Sequence, residues 1–237
     1  MDIADVWHRL VDPQPMPPGW LVLATAAAAL LAVVLHPAWR LSRNVVTIAH
    51  EGGHGLVALL TRRRLSGIRL HSDTSGLTLS SGPPTGPGMV LTAAAGYTAP
   101  SLLGLGGAAL LAAGRVTALL WISILLLAGM LIMIRNAFGV LSVVVTGAAF
   151  VLVSWYGGDE LQAGFAYLGV WFLLLAGVRP VVELQRKRRH GGAPDSDADQ
   201  LGRLTGVSPL LWVTLFLVVS LVCLLIGGGR LLDWPTH

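Results

Sequence analysis

The stretch His50-Glu51-Gly52-Gly53-His54 lies inside an apolar segment that runs from residue 45 to residue 60. In a helix, positions i and i+4 share a face, so His50 and His54 can direct both imidazoles at one metal ion. Glu51 stands between them, where a general base must stand to activate a metal-held water. Polar groups at membrane depth are costly and are functional by default. The stretch therefore predicts metal chemistry on a membrane helix.

The composition supports a membrane location. Of the 237 residues, 54% are hydrophobic and 12% are charged, whereas a soluble domain carries about 25% charged residues. The mean hydropathy is +0.71. The single cysteine, Cys223, excludes an intrachain disulfide and a cysteine-based metal site.

Apolar runs of about twenty residues predict the fold, because a helix of that length spans a bilayer. The sequence predicts an all-α polytopic membrane protein with about seven transmembrane helices, forming a single membrane-embedded domain over residues 1–237. The segments are 20–35, 45–60, 89–113, 116–134, 138–155, 161–178 and 210–226. Residues 1–19 lack a basic n-region and a small-residue cleavage site, so the first segment is expected to remain as an anchor.

One region between the predicted spans has the pattern of strands. Residues 65–84 alternate apolar and polar side chains around Asp73-Thr74-Ser75-Gly76. This pattern predicts a small membrane-associated β-hairpin within residues 62–88. The alternative is an interfacial loop without a partner.

Clustered basic residues set the expected orientation. Nucleic-acid binding is one interpretation of Arg62–Arg64 and Arg186–Arg189, but the positive-inside rule explains such clusters better in a membrane chain. Residues 179–209 are therefore predicted to be a cytoplasmic loop with a short helix at 197–204, and no nucleic-acid partner is expected. Counting spans from this loop puts the N-terminus inside and the C-terminus outside, which leaves Arg40 and Arg43 outside, against the rule.

A catalytic zinc needs a third protein ligand and an open position for water. A carboxylate is the better third ligand beside two histidines, which favours Asp195, Asp197 and Asp199 just before the last span. The competing interpretation is a solvated acidic linker that caps a helix. Histidines at 8, 36, 71, 190 and 237 are the other candidates.

Two further features stay open at this point. Gly52 and Gly53 indicate that another backbone passes close to the motif, which is either a packed helix or a substrate. Asn136, at the end of the fourth apolar segment, is either an interfacial helix cap or a hydrogen-bond donor to substrate or oxyanion.

These motifs together resemble the site-2 protease family, the intramembrane zinc metalloproteases, and a compact bacterial branch of it most closely. The resemblance lies in His50-Glu51-x-x-His54 on an early membrane helix, a following β-hairpin, and Ser196-Asp197-Ala198-Asp199-Gln200-Leu201 before the last span. It implies that Asp197 is the third ligand. The better-known members carry Asn-x-x-Pro-x-x-x-x-Asp-Gly there, and this chain does not, so Asp195 and Asp199 remain alternatives.

The resemblance also implies a function. The expected activity is zinc-dependent cleavage of transmembrane segments of other membrane proteins, with one Zn²⁺ ion and Glu51 as general base. The expected location is a bacterial inner membrane, with the active site toward the cytoplasm and the hairpin edge holding an extended substrate. The alternative is a non-catalytic metal-binding scaffold whose site is closed by His71 or a second Asp. A transporter ranks last, because the sequence lacks matching halves.

Overall fold

A computed structural model describes residues 12–191, 193 and 195–233. Most of the predicted N-terminal segment, together with His8 and His237, lies outside these residues. The described chain forms nine α-helices and a two-stranded antiparallel sheet. In chain order these are α1 (Gly19–Val34), α2 (His36–Leu60), β1 (Arg64–Leu70), β2 (Gly76–Ser81), α3 (Pro87–Ala112), α4 (Val116–Met133), α5 (Ala137–Tyr156), α6 (Asp159–Ala176), α7 (Val178–Arg189), α8 (Asp197–Thr205) and α9 (Pro209–Leu232).

The membrane helices confirm the predicted class of an all-α polytopic membrane protein. Five helical spans in the described chain are long and apolar enough to cross a bilayer, and the pair α1–α2, bent by 99°, makes a sixth if it counts as one broken span. The predicted count of about seven is therefore not exact. The bend falls at Leu35, which is extended, and Pro37 follows in the first turn of α2. A proline there begins a new helix, because its ring fixes φ and its missing N–H needs no partner.

The bend also corrects the predicted topology. The Gln14 amide donates to the Gly114 carbonyl at 2.8 Å, so α1 begins beside the turn between α3 and α4. Gly227 of α9 lies against Ala108 of α3, near the same turn. The two ends of the described chain thus lie at one end of the bundle, not at opposite ends as predicted.

Helix α3 is the centre of the bundle and contacts α2, α6, α8 and α9. Small residues bring its neighbours close, as they do in other membrane proteins. A Cβ at Gly53 of α2 would overlap Ala99 of α3, and a Cβ at Gly104 of α3 would lie 3.0 Å from Leu174 of α6.

The predicted hairpin is present and packs against α2. Strands β1 and β2 pair with Ile68 opposite Thr78 and Leu70 opposite Gly76. The Thr47 hydroxyl on α2 donates to the Thr74 carbonyl in the turn at 2.9 Å. The outer edge of β2 has no strand partner among the described residues.

The predicted loop at 179–209 is mostly helical. Its basic part forms α7, which follows α6 with little interruption and was not expected. The predicted short helix is confirmed as α8, with Ser196 as its N-cap and Gly206 at φ 73° as its C-cap. The cause of the error at α7 is its high content of charged residues, which hides a helix that packs Val181 and Leu184 into the core.

Candidate metal centre

Three side chains from two distant parts of the sequence converge on one point. His50 and His54 lie one turn apart on α2, and Asp197 is the first residue of α8. Asp197 Oδ2 lies 3.2 Å from His50 Nε2 and 3.3 Å from His54 Nε2, and the two Nε2 atoms are 3.2 Å apart. These three residues could hold one metal ion.

The dimensions of this triangle fit zinc. Zinc binds imidazole nitrogen and carboxylate oxygen at about 2.0–2.2 Å in tetrahedral sites, so two ligand atoms lie about 3.3–3.6 Å apart. The three separations, 3.2, 3.3 and 3.2 Å, lie at or just below the lower end of that range. Since three ligands fill three corners of a tetrahedron, one corner is left for water or substrate.

The chemistry of the donors also fits a cation. His54 Nδ1 lies 2.7 Å from the Thr92 carbonyl, which can only accept, so Nδ1 carries the proton and Nε2 presents a lone pair. Asp197 Oδ2 is buried and has no hydrogen-bond partner among the described residues. Lone pairs that face one another in a buried place repel unless a positive charge lies between them.

Asp197 has the charge state that a ligand needs. Burial by itself raises the pKa of the Asp197 carboxyl, but positive charge beside it, carried in the absence of a metal by protonated imidazoles of His54 and His50, outweighs burial and holds that pKa below its ordinary value. The group is therefore an anion at neutral pH, and any cation at this point favours that form.

The other predicted candidates lie elsewhere. Asp195 is almost fully exposed and lies 3.9 Å from Arg203, whereas Asp199 forms a two-bond salt bridge with Arg188. His71 interacts with Ser75 in the hairpin turn. His190 Nδ1 contacts the Arg186 carbonyl, and His36 begins α2. Of the three predicted aspartates, the structure brings only Asp197 to the histidines.

Glu51 is buried between α2 and the hairpin. Its Oε2 accepts a hydrogen bond of 2.6 Å from the Thr78 hydroxyl, which also contacts the Glu51 carbonyl at 3.2 Å. A Cβ at Gly76 would lie 2.5 Å from Glu51 Oε1. The hairpin therefore fixes one carboxylate oxygen and leaves room beside the other.

Several residues around the site were missed by sequence reasoning. A Cβ at Gly96 of α3 would overlap His54 Nε2 and would lie 2.6 Å from His50 Nε2. Tyr97 places its ring edge-on to His50, with centroids 4.8 Å apart, and stacks on Phe216. The small residues at 93–96 signal a close helix contact, but they do not say which side chains need the space.

The open questions about the two glycines and Asn136 receive geometric answers. Gly53 faces α3, so helix packing explains it, whereas a Cβ at Gly52 would meet only Met130 Sδ at 3.8 Å. Asn136 makes no cap hydrogen bond. Its Oδ1 instead accepts from the Leu70 amide at 3.2 Å and its Nδ2 donates to the Leu70 carbonyl at 2.6 Å, which ties β1 to the start of α5.

The comparison with known families agrees with this geometry. The sequence model of the family described as Peptidase M50B-like matches residues 23–227. The chain therefore belongs to this family, which is a site-2 protease family, and the suspected resemblance is confirmed. It is a family of metalloproteases. Neither a curated protein nor a solved structure matches the chain.

Proposed function

We propose that this protein is an intramembrane zinc endopeptidase that cleaves transmembrane segments of other membrane proteins, with residues 1–237 as one catalytic domain. The convergence of His50, His54 and Asp197 beside Glu51 carries the proposal. Family membership supplies the reaction class. Regulated intramembrane proteolysis is the biological role that the family resemblance favours.

Zinc held by the two imidazoles and Asp197 would supply a Lewis acid that polarises a peptide carbonyl and makes water acidic near neutral pH. The protein's own part is to present three ligand atoms in a fixed triangle. The hydrogen bond from His54 to Thr92 fixes the imidazole orientation, and the stacked pair Tyr97–Phe216 supports the His50 ring. A site held in this way needs little rearrangement during the reaction.

Glu51 is the proposed general base. It follows His50 on α2, which places its carboxylate beside the ligand triangle. Thr78 occupies Oε2, whereas Oε1 has no hydrogen-bond partner in the described part of the chain, so Oε1 is the atom that would take the proton from water. The same atom would return the proton to the leaving amine.

The hairpin is the proposed substrate support. A helical substrate hides its carbonyl groups in its own hydrogen bonds, so cleavage requires an extended segment. One edge of β1 pairs with β2, and Ile134–Asn136 covers the other. The outer edge of β2 is the edge left to add a strand, and it carries Thr78, which touches Glu51.

The distribution of charge supports an active site that faces the cytoplasm, and a bacterial inner membrane is the location that the family resemblance favours. The hairpin, α7 and the α4–α5 turn lie at the same end of the bundle, and this end carries Arg62–Arg64, Arg135 and Arg186–Arg189. The opposite end carries Asp159 and Glu160 together with Arg115 and Arg230, so among the described residues it holds fewer basic side chains than the first end. Under the positive-inside rule the first end faces the cytoplasm.

The test is cleavage of single-span reporter proteins by purified protein in liposomes, with new termini identified by mass spectrometry. We expect wild type to cleave a subset of reporters and a zinc chelator to stop it. Glu51→Gln should lower the rate by at least about a hundredfold while zinc content stays unchanged. If Glu51→Gln cleaves as wild type does, Glu51 is not the base. If wild type binds zinc and cleaves no reporter, the scaffold alternative gains support.

A further inference from the structure

We propose that Arg188 and Asp199 form a positioning pair that holds the third ligand, Asp197, against the histidines, although neither residue touches the metal site. This inference rests on the proposed metal centre and concerns the salt bridge that keeps its third ligand in position. Two ligands stand on one long helix, whereas the third stands at the first residue of the nine-residue helix α8.

The pair is a well-formed salt bridge between α7 and α8. Arg188 Nε lies 3.0 Å from Asp199 Oδ2, and Arg188 Nη2 lies 3.0 Å from Asp199 Oδ1. Each side chain is only 19% exposed. Such a two-bond pair fixes orientation as well as distance, which a single exposed ion pair does not.

Asp199 transmits this restraint to the ligand through the helix cap. The Ser196 hydroxyl donates to Asp199 Oδ2 and accepts from the Asp199 amide at 3.3 Å. Ser196 directly precedes Asp197 in the chain. The guanidinium at the end of α7 therefore fixes the cap residue on which the position of the ligand depends.

Other contacts leave this end of α8 less restrained. The buried residues of α8 are Ala198 and Leu201, which pack with Val181, Leu184 and Phe216. These apolar contacts hold the helix body, and the cap residue Ser196 takes no part in them. Asp195, on the other side of the cap, is 95% exposed and 3.9 Å from Arg203. The three aspartates of the acidic run therefore differ in role: Asp195 is exposed, Asp197 is the proposed ligand, and Asp199 holds the helix cap in place.

The test measures metal affinity and geometry rather than cleavage. Full-length protein in nanodiscs is stripped of metal and titrated with Co²⁺ against a chelating dye, and the visible absorption of bound Co²⁺ reports its ligand geometry. We expect Arg188→Met and Asp199→Asn each to weaken Co²⁺ binding about tenfold to a hundredfold and to alter the spectrum. Arg188→Lys, which keeps the charge, should fall between Arg188→Met and wild type.

Three controls give the result its meaning. The matched control is Asp195→Asn, in the same acidic run, which should bind Co²⁺ as wild type does. The double variant Arg188→Met/Asp199→Asn should bind Co²⁺ about as tightly as the single variant with the lower affinity, because each single change already removes the same salt bridge. The melting temperature of the metal-free protein separates a loss of fold from a loss of ligand position.

The inference is overturned if either single variant binds Co²⁺ with wild-type affinity and spectrum. It is also overturned if the variants lower the melting temperature of metal-free protein and leave the spectrum unchanged, since that describes a structural bridge only. A failure of the proposed metal centre is distinct: then wild type fails to bind Co²⁺, or Asp197→Ala binds it as well as wild type.

Discussion

Gly96 of α3 lies directly against the His54 imidazole of α2, so close that a methyl group there would overlap Nε2 and crowd His50 Nε2 at 2.6 Å. The face of α2 that carries the two candidate ligands is therefore accommodated by a missing side chain on α3. A glycine is needed here for space, since this position is helical and asks for no unusual backbone angle.

Gly96→Ala should weaken metal binding at least about tenfold while the bundle still forms. The added methyl group displaces both imidazoles from the triangle, and displaced ligands lose at least about tenfold in affinity. Gly106→Ala on the same helix is the matched control, because a Cβ there meets no atom within 4 Å. Zinc content of the two purified variants checks the prediction, and equal content would contradict it.

Thr78→Val should slow cleavage without loss of metal. The change keeps the shape and removes the hydroxyl that binds Glu51 Oε2 at 2.6 Å. A hydrogen bond to a charged group contributes about 1.5–3 kcal/mol, so we expect kcat to fall about tenfold to a hundredfold. KM should stay near the wild-type value, because Thr78 acts through Glu51.

The control for this change is Thr146→Val, since within the described part of the chain the Thr146 hydroxyl bonds only to the Ser142 carbonyl of its own helix. Cleavage by this variant should match wild type. An unchanged kcat for Thr78→Val would show that the hydrogen bond from the hairpin to Glu51 does not contribute to catalysis.

Asn136→Ala should loosen the hairpin. The change removes the acceptor of the Leu70 amide and the donor to the Leu70 carbonyl. Each bond contributes about 1 kcal/mol, so hydrogen exchange at the Leu70 amide should quicken at least about fivefold. Asn136→Asp keeps the acceptor and should protect that amide better than Asn136→Ala.

The same variants decide between two roles for Asn136. If Asn136→Ala loses cleavage while exchange at Leu70 is unchanged, the side chain serves substrate or oxyanion rather than the strand. Faster exchange together with slower cleavage would show that the covered edge of β1 supports the catalytic end of the protein.

Cysteine labelling should report the orientation. Lys187 on α7 and Glu160 on α6 are exposed residues at opposite ends of the bundle, and the only native cysteine, Cys223, is buried. A membrane-impermeant maleimide added to intact spheroplasts should label Glu160→Cys and spare Lys187→Cys until the membrane is opened. The reverse pattern would place the metal centre outside the cytoplasm.

Local patterns of the sequence predict much of this fold. Residues close in the sequence determine the spacing of the two histidines, the hairpin and α8. Periodicity, turn and cap patterns describe this short range, so they predict these features. The family follows from the same short motifs, and its match over residues 23–227 bears this out.

The features that the sequence did not predict depend on contacts between residues far apart in the chain. The bend at Leu35 turns the first half of α2 toward α7, where Arg43 lies 3.5 Å from Glu183. Hydropathy alone counts two spans there and so places Arg43 on the wrong side. The role of Gly96 was equally hidden, because a small residue indicates that something is near without indicating what.

The three proposed ligands are also synthesised in a fixed order. The ribosome makes the two histidines early and the aspartate only near the end of the chain. Under the proposed function, a nascent protein that has inserted its first helices holds an incomplete metal centre and could not yet cleave the membrane proteins around it. The centre is complete only once Asp197 has been synthesised and α8 has folded.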